Sequence, residues 1–425
     1  MEFENSKEFA LECDSKDPLR HFRDKFLIPK KASREVIYLC GNSLGLQPKT
    51  AKSYIQDELE NWAMNGVEGH FHGERPWMPY HKNFKKYLGE LVGAHPTEVV
   101  AMNSLTTNLH LMMATFYRPT GKRNKIICEA GAFPSDQYAL ETQAKFHGLA
   151  AENVVIEISP EAGEHNLSTD QILNAIVQTG DELALVMFSG VQYYTGQFFD
   201  IAAITKKAHE VGAIAGFDLA HAVGNLPLKL NQWDVDFAVW CSYKYLNSGP
   251  GAVGGAFVNE KHHQKDLPQF GGWWGHNEAE RFKMEKGFKP MQSVDRWQLS
   301  NAPVLNMAAH LASLEIYSDA GIDNLRAKSL ELTGYLEFLL RDIGETAVEI
   351  ITPTDPNERG CQLSLFINRG GKDLFKRITE KGVIADWREP NVIRIAPVPL
   401  YNSFDDVWQF SQILQEELKS SNNLH

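Results

Sequence analysis

Seven short strand-like runs, at residues 98–103, 125–129, 153–158, 183–189, 213–218, 237–241 and 252–258, alternate with stretches of helical character. One intervening stretch opens with Ser168-Thr169-Asp170-Gln171. A serine followed three residues later by glutamine predicts a capping box. Several of the runs are apolar throughout rather than alternating, as expected of strands covered on both faces. Such a chain predicts an α/β domain, a mostly parallel seven-stranded sheet with helices on both faces. Ligands of such sheets bind beyond the C-terminal ends of the strands. The residues that follow each run are therefore the first candidates for a site.

The flanking segments follow another pattern. Residues 1–35 read as helical and polar, ended by Pro29 and Lys30-Lys31. A short apolar run at 36–40 leads into the turn Gly41-Asn42-Ser43-Leu44-Gly45, and Pro48 is expected to open a helix to about Met64. Residues 66–77 lack periodicity and carry His70, His72, Arg75 and Trp77, side chains that suit a site-lining loop as well as an ordinary surface loop. Past a glycine-rich stretch with Trp273 and Trp274, helices are expected from Ser300-Asn301-Ala302-Pro303 to about Ala320 and over 325–343. Strands at 361–367, 383–387 and 392–396, a helix at 372–381 and a last helix capped by Ser403 then predict a smaller α+β domain. The expected division is an N-terminal segment 1–50 packing with the small domain, a large domain 51–304 and a small domain 305–425.

Composition excludes some function classes. A formal net charge of −12 argues against nucleic acid and anionic membranes as partners. The 43% apolar content suits a packed core, and no apolar stretch is long enough to span a bilayer. Residues 1–17 carry no apolar run of the signal-peptide type. Five cysteines without a CxxC motif read as reduced thiols, which suggests a cytoplasmic protein.

The strand ends hold complementary chemistry. After the first run, Ser104-Leu105-Thr106-Thr107-Asn108 opens a helix whose free N–H groups and hydroxyls suit a phosphate, or serve as a plain N-cap. After the second, Phe133-Pro134-Ser135-Asp136 offers an aromatic face for a flat ring, or a core phenylalanine. The fourth is followed by a polar loop from Ser189 to Gly196, the fifth by Asp218 and His221, the sixth by Tyr243 and Lys244. Alone, Lys244 reads equally as a surface lysine and Asp218 as a helix cap. Together, a lysine nucleophile and an acid fit pyridoxal phosphate, which a lysine binds covalently and an acid keeps protonated at its ring nitrogen.

The order and spacing resemble fold type I pyridoxal-phosphate enzymes, and within them the kynureninase family. The resemblance is carried by residues 38–46, Arg75-Pro76-Trp77, Phe133-Pro134-Ser135-Asp136, residues 218–225, residues 242–247 and residues 393–403. It implies a hydrolytic Cβ–Cγ cleavage of kynurenine or 3-hydroxykynurenine to alanine and an anthranilate, with pyridoxal 5'-phosphate as cofactor. It leaves open whether the reaction serves tryptophan breakdown or pyridine-nucleotide synthesis. On this resemblance Lys244, Tyr243 and Asp218 are the catalytic candidates. Leu105, Thr106, Phe133, Pro134, Ser135, Asp136, Ser189, His221, Trp273 and Asn301 join them around the cofactor. Ser43, His70, Asn301 and Arg394 match substrate contacts, with Arg394 the expected clamp for a carboxylate. Trp273 and Asn301 match positions that reach the cofactor from another subunit, so a homodimer with shared sites is implied. Tyr243 matches either an acid/base or a phosphate ligand. The rival readings are a cysteine desulfurase or selenocysteine lyase, a class V aminotransferase, and a non-catalytic pyridoxal-phosphate-binding protein; the first needs a reactive thiol late in the chain, where only Cys361 stands.

Overall fold

The computed structural model describes residues 2–344 and 347–422. All seven expected strands form and share one sheet. They are β1 (Val99–Ala101), β2 (Lys125–Glu129), β3 (Val155–Ile158), β4 (Leu183–Ser189), β5 (Ile214–Asp218), β6 (Phe237–Trp240) and β7 (Gly255–Val258). Their spatial order is β1-β7-β6-β5-β4-β2-β3. Neighbours from β6 to β3 run parallel, and β7 is antiparallel to both β6 and β1. The apolar runs are explained by burial on both faces: β6 and β7 are buried throughout, and β4 is buried up to Ser189. The chain order changes direction at β2, which has β3 on one side and β4 on the other.

The loops leaving the strands are held by their helices. The helix Leu105–Phe116 follows β1 and has no side-chain cap, because the Ser104 hydroxyl pairs with Thr107 instead. Pro134 occupies the first turn of the helix Pro134–Phe146, where its missing N–H costs no hydrogen bond. Ser168 and Gln171 form the expected reciprocal cap of the helix Thr169–Thr179.

A second, antiparallel sheet holds β8 (Val348–Ile350), β9 (Leu363–Ile367), β10 (Asp386–Arg388) and β11 (Val392–Ile395) in the order β8-β9-β11-β10. Two cores result. Leu19, Phe22, Phe26 and Leu46 join the first, with Met307, Leu311 and Leu314 of the helix Val304–Ala320. Ala10, Cys13, Ile37 and Leu39 join the second, with Leu332, Tyr335, Leu336 and Leu339 of the helix Ile322–Arg341. The Asp14 carboxylate accepts from the backbone N–H of Phe404 and Asp405, at 2.7 and 3.1 Å, tying the first helix to the start of the last.

Four local expectations change. Of the segment 1–35, the described residues 2–35 are helical only over Lys7–Lys16 and in a 3-10 turn over Arg20–Lys25. Pro48 does not open a helix; it pairs with Phe26 in a short antiparallel ladder, and the helix Ala51–Asn65 starts after it. The strand expected at 383–387 is two strands, because Val383–Ile384 pairs with Ile37–Tyr38 while Asp386–Arg388 pairs with β11. The strand β8 was not expected, since three residues are too short for a periodic signal.

Candidate active site

One cavity lies beyond the C-terminal ends of β2, β4, β5 and β6. Its walls include Leu105, Thr106, Phe133, Ser135, Asp136, Ser189, Asp218, His221, Tyr243 and Lys244. Register explains part of this grouping. Ser189 and Asp218 are direct partners on parallel β4 and β5, and Asp218 also faces Val239 on β6. Lys244 sits in the turn after β6, held where Gly45 N–H donates to the Tyr243 carbonyl at 2.8 Å and Asn247 N–H to the Lys244 carbonyl at 3.0 Å. Asn247 adopts positive φ, which an asparagine tolerates.

The Lys244 Nζ hydrogen-bonds His221 Nε2 at 3.0 Å and stands 5.7 Å from the Phe133 ring centroid. Burial, and then the Lys244 charge, hold His221 well below its usual range, so the ring is neutral. Burial, and then the Asp218 charge, hold the Asp136 carboxyl well above the usual range. Burial also raises Asp218, but Lys244 and the Ala220 N–H, 2.8 Å from Oδ1, oppose it. Asp136 therefore takes the proton and Asp218 remains the anion. Burial raises the Tyr243 phenol, which stays protonated and able to donate.

Pyridoxal phosphate fits these residues. Two buried polar atoms, Asp136 Oδ1 and His221 Nδ1, lack a partner. The Phe133 ring is 41% exposed although it borders the cavity, so an aromatic face is open for stacking. The Thr106 and Ser135 hydroxyls meet at 2.7 Å beside the uncapped helix start, a donor set suited to phosphate.

Arg394 on β11 is 1% exposed. Its Nε donates to Asp386 Oδ1 at 3.1 Å, its second amino group lies 2.9 Å from Asp386 Oδ2, and its first donates to the Tyr193 carbonyl at 2.7 Å. Asp386 faces it directly across β10 and β11. The Tyr193 ring lies 5.9 Å from both the Arg394 and Arg388 guanidinium groups and packs edge-on against Phe133 at 5.3 Å. The Gly41–Gly45 turn that carries Ser43 abuts the Lys244 turn through Gly45.

Three of the expected residues stand elsewhere. His70 and Asn301 line a separate cavity with Glu58, Trp62, Trp77 and Trp274. Trp273 is 47% exposed and donates its indole N–H to the Arg281 carbonyl at 3.2 Å. A larger, mostly apolar groove of about 940 Å³, bordered by Leu27, Leu46, Ile55 and Pro250, holds none of the expected site residues. Asp386, Arg388 and Glu129 were not anticipated. The Arg394 strand offered the only sequence signal for Asp386, an acid one tight turn upstream of a buried arginine. Cys361, on which the desulfurase reading depends, is buried, and burial pushes its thiol up to about 12.

Residues 325–414 match the family described as "Kynureninase C-terminal domain", and residues 73–227 match the "DegT/DnrJ/EryC1/StrS aminotransferase family". A kynureninase of Christiangramia forsetii is 52% identical over 424 residues, covering 99% of this chain and 100% of that protein. One from Myxococcus xanthus is 54% identical over 415 residues, covering 97% of each. Among solved structures, a cysteine desulfurase from Escherichia coli superposes with a TM-score of 0.77 at 17% identity, covering 96% of this chain and 98% of that one. A cysteine desulfurase from Thermococcus onnurineus gives 0.74 at 18% identity, covering 91% and 95%. Those two likenesses show the fold; the near-complete coverage at above half identity shows more, and the chain belongs to the kynureninase family.

Proposed function

We propose that this chain hydrolyses the Cβ–Cγ bond of kynurenine or 3-hydroxykynurenine, releasing alanine and an anthranilate, with pyridoxal 5'-phosphate as cofactor. The observation that carries the reading is the meeting of Lys244, Asp218, Asp136, His221 and Phe133 in one cavity, in a chain of this family.

The bound cofactor supplies an electron sink for charge developing at the substrate α-carbon. Lys244 would anchor it and move the proton at that carbon, with neutral His221 accepting a hydrogen bond from Nζ. Asp218 holds positive charge on the ring nitrogen, and protonated Asp136 beside it keeps a second negative charge out of the pair. Phe133 would hold one face of the ring, Leu105, Thr106, Pro134 and Ser135 would hold the phosphate, and Ser189 would meet the ring. Arg394 orients the substrate carboxylate, with Ser43 on the neighbouring turn. Tyr243, protonated, donates either to an oxyanion or to the phosphate.

His70, Trp273 and Asn301 act in the site of a second copy. Their separation from Lys244 within one subunit supports this, as do the exposed apolar Trp62, Met64, Val67, Phe71, Phe282 and Met284. His70 Nδ1 faces the Val67 carbonyl at 3.0 Å, so a neutral ring presents Nε2 as an acceptor. An acceptor there favours a substrate with a ring hydroxyl, hence 3-hydroxykynurenine. The residue division proposed is 1–50, 51–304 and 305–425. The five cysteines form no disulfide and four of them are buried, which supports a cytoplasmic protein. Among the described residues no helix is long and apolar enough to cross a membrane.

Adding each substrate to the purified holoenzyme tests the reading. Release of a fluorescent anthranilate with stoichiometric alanine supports it, and its absence with both substrates overturns it. A higher kcat/KM for unsubstituted kynurenine would overturn the hydroxyl preference alone. Lys244→Ala is expected to abolish turnover. Sedimentation of the holoenzyme as a monomer would exclude shared sites.

A further inference from the structure

The Glu129 carboxyl takes no part in the chemistry above, although it is buried beside the cavity. It ends β2 at the place where the strand order changes direction, next to the end of β4. It accepts the Ser189 hydroxyl at 2.5 Å and the Ser189 backbone N–H at 3.2 and 3.3 Å. A serine hydroxyl carries one proton. With that proton directed to Glu129, Ser189 Oγ meets the cavity as an acceptor only.

Glu129 itself borders a second cavity of about 270 Å³, lined by Gln192, Thr195, Gln197, His165 and Tyr194, and reaches the first only through Ser189; Tyr193 is common to both cavities. Burial pushes its carboxyl up to about 7; the Ser189 hydrogen bonds oppose the rise and the Asp218 charge adds to it. The other charged or titratable groups around it are Asp136 from the helix after β2, Lys244 across the first cavity and His165 beside the second.

We propose that Glu129 is a positioning residue that sets the hydrogen-bond polarity of Ser189. As a carboxylate it holds the serine proton, and Oγ can only accept from a group in the cavity. When Glu129 gains a proton, the carboxylic acid donates to Oγ. The serine hydroxyl then turns its own proton into the cavity. One O–H bond forms on Glu129, no other covalent bond changes, and the group facing Ser189 finds a donor where it had found an acceptor. The inference rests on the proposed function in one respect, that the cavity holds pyridoxal phosphate.

Glu129→Gln tests it. The amide takes up no proton in this range, so whichever way it is turned the hydrogen-bond polarity of Ser189 no longer changes with pH. The holoenzyme is titrated from mildly acid to mildly alkaline, reading the visible absorption of the bound cofactor and the infrared stretch of protonated carboxyls. The wild type is expected to lose one carboxyl band through the neutral range, with a parallel change in absorption. Glu129→Gln is expected to lose both changes. Ser189→Ala is expected to keep the infrared change and lose the absorption change, which separates polarity from a mere structural role and covers a Gln variant that fails to fold. An absorption change that persists in Glu129→Gln, or no carboxyl band titrating in the wild type, overturns the inference. Neither spectral reading needs turnover, so failure to cleave kynurenine would overturn the proposed function and leave this test standing.

Discussion

Gly45 lies far from Lys244 in sequence, yet it has no room for a methyl group because of Lys244. A Cβ at Gly45 would overlap the Lys244 carbonyl oxygen and the Asn247 side-chain oxygen, and would lie 2.7 Å from Asn247 Cα. Carbon atoms pack best about 3.5–4.0 Å apart. Gly45→Ala therefore demands a displacement on the order of 1 Å between the Gly41–Gly45 turn and the lysine turn. Two of the three obstructing atoms are backbone, so no rotamer change relieves the overlap. Overpacking of this kind costs about 1–3 kcal/mol of stability. A reacting group misplaced by about 1 Å loses on the order of 100-fold in rate. The expected result is a modest fall in the urea midpoint with a fall in kcat much larger than the stability loss would cause, because the displaced segment carries Lys244 and Ser43. Anthranilate fluorescence reads kcat, and urea unfolding followed by tryptophan emission reads stability. Gly334→Ala is the control. It lies in the interior of the helix Ile322–Arg341, and its new Cβ would meet Phe3 at 3.4 Å, an ordinary contact. It should gain about 0.5–1 kcal/mol with unchanged kcat. A Gly45→Ala enzyme with wild-type kcat would refute the claim that this turn sets the position of the lysine.

Three further outcomes are expected. Arg394→Lys removes the planar fork that bonds Asp386 and the Tyr193 carbonyl; kcat/KM should fall at least about tenfold, the worth of one charge-assisted hydrogen bond, and an unchanged KM would remove Arg394 from substrate binding. Burial holds His310 at about 3, where Nδ1 faces the Ser248 hydroxyl at 2.6 Å. Its folded value lies below its unfolded one, so the unfolded chain binds the extra proton and stability falls as the pH drops below the usual histidine range; from pH 7 to 5 the loss should be about 2 kcal/mol, and His310→Gln should remove that part of the slope in urea titrations at several pH values. Glu129 runs the opposite way, its folded value of about 7 lying above the unfolded one. Its contribution is complete in acid and lost as the pH rises through neutrality, so Glu129→Gln should gain stability relative to wild type above pH 7, and a pH-independent difference between the two would contradict a buried neutral carboxyl.

Much of this protein is legible in its sequence, and the reason is local. Most inner strands of the large sheet are runs of apolar residues bounded by turns, so the covering of both faces is written into consecutive positions. Ser168 with Gln171 and Pro134 mark helix starts for the same local reason. Residues that follow strand ends must fall on one edge of a parallel sheet, which is how Phe133, Ser189, Asp218 and Lys244 could be grouped before their contacts were seen. Strand pairing across long separations is different. Pro48 reads as a helix start and pairs with Phe26; Val383 and Asp386, three residues apart, join different sheets. The register of distant elements also decides that Asp386 faces Arg394, that Tyr193 bridges two cavities, and that His70 and Asn301 stand away from the lysine. Glu129 shows the difference most sharply. In sequence it is an ordinary acid at the end of an apolar run. Only packing buries it against Ser189, and burial, which no single residue carries, moves its proton affinity toward neutrality.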